Sequence, residues 1–107
     1  MHDEALRGHI DTMVLAALRA GPAHGYALVS QLSGGSEGIF ELGESTLYPA
    51  LHRLEDSGYV ASEWGTSDNN RRAKYYRLTP LGKKQLQVET ESWQRFAEAV
   101  GLILRHA

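Results

Sequence analysis

The chain is predicted to be mainly α with a small β-hairpin (α+β), a winged helix-turn-helix followed by a long C-terminal helix. Three observations predict this class. Leu47, Leu51 and Leu54 recur at helical spacing in a segment that opens on Glu44-Ser45 and closes on Ser57-Gly58. Behind it, Tyr59 to Trp64 alternates like a strand with one covered face, and Lys74 to Leu78 returns after a polar turn. Thr79-Pro80, a capping residue and a proline suited to the first helical position, then opens a helix that runs into the closing residues.

Taken in order, Leu6, Ile10, Met13, Val14, Ala17 and Leu18 step by threes and fours, which predicts a first amphipathic helix ending before Gly21-Pro22. Ala23 to Leu32 is expected to form a short second helix, with Leu28 and Leu32 on its buried face and His24-Gly25-Tyr26 at its start. The free amides of that start face outward and suit a phosphate. Gly34-Gly35-Ser36-Glu37-Gly38 breaks the pattern, and Ile39, Phe40 and Leu42 form a partly buried connection to the third helix. That third helix buries its leucines and turns Ser45, Thr46, Tyr48, His52 and Arg53 outward, with Pro49 near its first turn. In the hairpin, Gly65 to Asn70 is the expected turn, Val60, Ser62 and Trp64 share one face, and Tyr76 and Leu78 pack on the body. Arg71, Arg72 and Lys74 then lie near the wing tip. Residues 1–79 are thus expected to be the winged domain and 80–107 the helix that joins two copies.

The last helix would be roughly 35 to 40 Å long at 1.5 Å per residue. Leu86, Trp93 and Val100 recur every seven residues, with Phe96 and Ile103 in a companion row, a pattern that asks for a partner helix. At 107 residues the chain makes one small domain with a modest core, so a homodimer through Leu86, Trp93, Val100 and Ile103 is expected, helped by the first helix. The alternative is that this helix folds back on its own chain.

Composition narrows the function classes. With no cysteine there are neither disulfides nor thiolate metal sites, and no apolar stretch approaches a membrane span or signal peptide, so a cytoplasmic protein is expected. His2, His9, His24, His52 and His106 are scattered without metal spacing, and no nucleophile elbow or phosphate loop occurs. No catalytic residue, metal site or cofactor is expected. His9 is expected at the dimer interface in a structural role.

The net charge of −2 speaks against nucleic acid, since phosphate contacts require Lys and Arg. The distribution speaks for it. From Asn69 to Val88 the chain carries Arg71, Arg72, Lys74, Arg77, Lys83 and Lys84 and no acid. A basic hairpin directly after an outward-facing helix is how double-stranded DNA is held, base edges by the helix and phosphates by the wing. The second hypothesis is a winged-helix adaptor that binds protein and not DNA, and its support is the acidic total. An adaptor has no need for Arg71, Arg72 and Lys74 on the side of Ser45 and Thr46.

His24-Gly25-Tyr26, Leu47-Tyr48-Pro49-Ala50-Leu51, Gly58-Tyr59-Val60, Arg71-Arg72-Ala73-Lys74-Tyr75-Tyr76-Arg77-Leu78-Thr79 and the trailing helix together resemble the PadR family of bacterial transcriptional regulators. The likeness spans essentially the whole chain and is similar to the short subgroup with a single C-terminal helix. It implies a dimeric repressor with Ser45, Thr46 and Tyr48 at the base-facing start of the recognition helix and Arg53 nearer its backbone side. Tyr26, Arg71, Arg72 and Lys74 would hold phosphates. Tyr48 has a competing role, packing on the second helix. In multidrug-binding relatives a tryptophan of the C-terminal helix pairs with its dimer mate around flat aromatic ligands, and Trp93, followed by Phe96, matches that position. Other relatives respond to phenolic acids, so a small aromatic effector is implied without being identified.

Overall fold

The protein is described from a computed structural model covering residues 9–106. Leu6 and His2 lie outside the described residues. Helix α1 is Ile10–Ala17, continued by a 3₁₀ turn over Leu18–Ala20. A short strand, β1 (Ala23–His24), leads into α2 (Gly25–Gly35). Helix α3 is Glu44–Asp56, strands β2 and β3 are Val60–Thr66 and Arg72–Leu78, and α4 is Pro80–His106. The strands form an antiparallel sheet of order β1-β3-β2, with Ala23 opposite Tyr76 and Val60 opposite Leu78.

The second helix differs from expectation at both ends. Ala23 and His24 are extended and pair with β3, because His24 is the helix cap: its Nδ1 accepts from the Ala27 amide at 3.2 Å. The helix then runs through Gly34 and Gly35 and stops at Ser36, whose hydroxyl donates to the Leu32 carbonyl at 2.8 Å and accepts from the Phe40 amide at 3.0 Å. The intervening chain turns through Glu37 and Gly38, both at positive φ. Of the connection, Leu42 is buried and Phe40 packs against the core, but Ile39 points to solvent, 68% exposed, so its expected partial burial is corrected.

Helix α3 has no side-chain cap at its start. Gly43 takes the cap position and its carbonyl accepts from the Thr46 and Leu47 amides. Pro49 stands inside the helix, where its missing N–H leaves the Ser45 carbonyl without its i+4 donor. The end is well closed. Gly58, at φ 81°, lets its own amide reach Glu55 and the Tyr59 amide reach Leu54, which satisfies two carbonyls of the last turn.

The buried core draws Ile10, Val14, Leu15 and Leu18 from α1 and its turn, Leu28 and Leu32 from α2, and Leu47, Ala50, Leu51 and Leu54 from α3. Val60, Tyr76 and Leu78 close it from the sheet. Leu86 also lies in this core, buried against its own domain. That corrects its place in the expected dimer row: the first two turns of α4 are still covered by the winged domain, so the heptad stripe becomes free only beyond them.

Those first turns are held by close backbone contact. The Thr79 hydroxyl donates to the Gly58 carbonyl at 2.6 Å and accepts from the Gly82 amide at 3.0 Å, while the Thr79 amide donates to the Tyr59 carbonyl. A Cβ on Gly82 would overlap that Tyr59 carbonyl oxygen, so only glycine lets α4 lie so near the strand. Helical Gly→Ala changes ordinarily stabilise by up to about 1 kcal/mol. Gly82→Ala should instead destabilise by roughly 1–3 kcal/mol, the cost of overpacking against backbone that cannot step aside. Gly34→Ala, whose new methyl would meet open space, should be neutral or stabilising. Thermal unfolding followed by circular dichroism checks the opposite signs.

Candidate nucleic-acid interface

On α3 the side chains divide as the leucine spacing predicts. Ser45, Thr46, Tyr48, His52 and Arg53 are exposed, while Leu47, Ala50, Leu51 and Leu54 are buried. Ser45 and Thr46 occupy the first turn, free of side-chain partners among the described residues, where short hydroxyls can meet base edges. Tyr48 is only partly available. Its phenol lies so close over Gly25 that a Cβ there would overlap the hydroxyl, so its ring packs on the start of α2 while an edge stays open.

Arg53 stands elsewhere than the DNA-facing sequence expectation. Its guanidinium grips Asp11 of α1, with Nη2 to Oδ1 at 2.8 Å and Nε to Oδ2 at 3.4 Å, the one ion pair among the described residues. The hydrogen bond to Asp11 also pushes the arginine pKa further up. This is a surface pair, worth at most about 1 kcal/mol, but it turns the side chain along the α1 flank.

The start of α2 and the wing turn come together. Tyr26, 73% exposed, and Arg71 line one open groove between them. The wing turn is built rather than loose. The Ser67 amide donates to the Arg71 carbonyl at 2.7 Å, and the Asn70 amide donates to the Ser67 carbonyl at 2.9 Å with Asn70 in the left-handed region. Arg71 is thereby presented next to an N-terminus that itself favours anions.

Strand alternation divides the basic run into two groups. Arg72 and Lys74 share one face of β3 with Tyr76 and Leu78. Arg77 falls on the other face, and with Arg19 and Lys83 it lines a separate groove beside Leu18 and Leu86. On the first face the Arg72 guanidinium lies 4.5 Å over the centre of the Trp64 ring, and Lys74 Nζ lies 5.7 Å from that of Tyr76. Burial, and after it the charge of Glu55 and the proximity of Tyr48, push the Tyr76 phenol pKa up, so the ring beneath Lys74 stays neutral. Trp64 and Arg19 are the residues the sequence left unmarked. A tryptophan at the free end of a strand, two residues diagonal to an arginine, was the available signal for the first.

Beyond Leu86, α4 leaves Trp93, Phe96, Val100 and Ile103 exposed along one side. Trp93 packs edge-on against His9 at 4.9 Å and against Phe96 at 5.8 Å between ring centres, and is 48% exposed. No helix among the described residues is long and apolar enough to cross a membrane.

Residues 14–88 match the transcriptional regulator PadR-like family. The transcriptional regulator Rv3488 of Mycobacterium tuberculosis is 35% identical over 77 residues, which cover 72% of this chain and 68% of that protein. Among solved structures, a PadR family transcriptional regulator from Eggerthella lenta is 38% identical, with a TM-score of 0.80 over 94% of this chain and 86% of that one. A transcriptional regulator from Clostridium thermocellum is 31% identical, with a TM-score of 0.83 over 92% and 96% of the two chains. A helix with an outward polar face, a basic hairpin and a long trailing helix in that order, together with a family match over most of the length, mean that the chain belongs to the PadR-like family of transcriptional regulators.

Proposed function

We propose that the chain is a dimeric, sequence-specific DNA-binding repressor that acts in the cytoplasm on an inverted-repeat operator. The observation that carries this reading is the pairing of two free surfaces on one small fold. Ser45, Thr46, Arg71 and Arg72 are exposed and Lys74 is half-exposed on α3 and the wing, and Trp93, Phe96, Val100 and Ile103 are open along α4. In this reading Ser45, Thr46 and Tyr48 read bases, while Tyr26, Arg71, Arg72 and Lys74 hold phosphates. Arg53 serves the fold through Asp11 and reaches a phosphate only by releasing it.

Two copies joined along Trp93, Phe96, Val100 and Ile103 would bury a row that is too apolar to stay in water. The two recognition helices must then stand roughly 34 Å apart to enter successive major grooves, a distance set by the angle at which α4 leaves each domain. A flat aromatic effector held between the two Trp93 indoles would release the operator by favouring a wrongly spaced dimer. It can do so only through its differential affinity for the two spacings.

Sedimentation of the wild-type protein should give a dimer at micromolar concentration, and Val100→Glu, which places a charge in the row, should give monomers that no longer bind operator DNA. Replacing Arg71 and Arg72 together with glutamine should weaken binding to every duplex alike and lower the salt slope by about two phosphate contacts. Titration against DNA from the protein's own upstream region at two salt concentrations measures both quantities. Unchanged affinity and slope would remove the wing, and no selectivity over a scrambled duplex would favour the protein adaptor suggested by the net charge of −2. In a Trp64→Phe background the remaining indole is Trp93, so its fluorescence with a planar aromatic dye tests the effector slot; equal dye affinity for free and DNA-bound protein would remove the coupling.

A further inference from the structure

The ribbon of β2 and β3 carries cations and aromatic rings alternately along one face, from its buried root to its free end. Val60 and Leu78 face each other at the root, then Ser62 and Tyr76, then Trp64 and Lys74, then Thr66 and Arg72. Val60, Tyr76 and Leu78 are buried in the body, but Trp64, on the same face, is 59% exposed. Its indole therefore serves no core. What it touches is the Arg72 guanidinium, 4.5 Å from the ring centre and one diagonal step across the ladder.

How Arg72 is held matters for what it can do. A carboxylate would fix the guanidinium and occupy its N–H donors in doing so, and no carboxylate pairs with Arg72 among the described residues. Glu63, the acid of β2, lies on the opposite face of the ribbon. An aromatic ring attracts the cation through its face and leaves the donor edge free. The long side chain is ordered in advance, its charge intact and its hydrogen bonds unmade. Such a group is suited to an anion that arrives from solution.

We propose that Trp64 is a positioning residue of the DNA interface, holding Arg72 at the wing so that the guanidinium meets a backbone phosphate already oriented. The proposal rests on the DNA-binding reading above. Ordering a free arginine on a phosphate carries a side-chain entropy cost, and the indole has met part of it before DNA arrives.

The test is a double-mutant cycle on the full chain, with binding read by anisotropy of a fluorescein-labelled random-sequence duplex across a salt series. Trp64→Ala should weaken binding about fivefold, the scale of the side-chain ordering that Arg72 must then undergo on the phosphate, and leave the salt slope unchanged because the charge remains. Trp64→Phe, which keeps a ring under the guanidinium, should stay within about twofold of the wild type. Arg72→Gln should lower the slope by about one phosphate contact, and in that background Trp64→Ala should have no further effect. A loss of equal size in both backgrounds, or none in either, overturns the positioning role while leaving DNA binding intact. A wild-type protein that fails to bind the duplex even at low salt overturns the DNA reading itself, and the positioning role with it. Far-UV circular dichroism of each variant separates these outcomes from unfolding.

Discussion

The approach of Gly82 to the Tyr59 carbonyl is the contact on which the arrangement of this protein turns. It joins the longest helix to the winged body at a distance that no side chain could tolerate. Thr79 closes the joint by hydrogen-bonding both sides of it, Gly58 before the strand and Gly82 within the helix. Because backbone packs on backbone here, α4 leaves the body in a single direction. A side-chain contact in the same place would yield by rotamer changes, whereas this one yields only by breaking hydrogen bonds. In the two-fold assembly proposed above, that direction would set the separation of the two α3 helices.

The body supporting this joint is small and, the Tyr76 phenol apart, its buried side chains are apolar among the described residues. Its specificity of shape comes from helix ends. His24 caps α2, Ser36 stops it, Gly58 closes α3 and Thr79 opens α4. Each of these lies at the border between core and surface, where a lost cap costs about 1 kcal/mol and also releases the segment beyond it. Side chains that point at the solvent from α3 and the wing can therefore be chosen for a partner instead of for stability.

The sequence expresses local structure well and contacts between distant segments poorly. The Leu47, Leu51 and Leu54 spacing, the Ser57-Gly58 stop and the Thr79-Pro80 start are visible because each signal lies within one turn of the element it controls. Strand β1 was hidden because two residues carry no periodicity, and their pairing to Tyr75 and Tyr76 spans most of the domain. Leu86 fits a seven-residue row, yet packing on its own body takes it out of that row. Arg53 and Asp11 are 42 residues apart, and no spacing rule could pair them. Of the candidate interface, the outward residues of α3 and the packing of Tyr48 on the second helix could be expected from the sequence, whereas the contact of Trp64 with Arg72 could not.

Two neighbouring residues of α1 reach opposite ways. Asp11 grips Arg53 in the last turns of α3, and the Thr12 hydroxyl donates to Glu89 of α4 at 2.6 Å, where Gln85 steadies the same carboxylate. Helix α1 is thus tied to both α3 and α4 through adjacent residues of its first turn. Two adjacent side chains of α1 therefore link α4 to the last turn of α3, and of the two links the solvent-exposed Asp11 pair is the weaker.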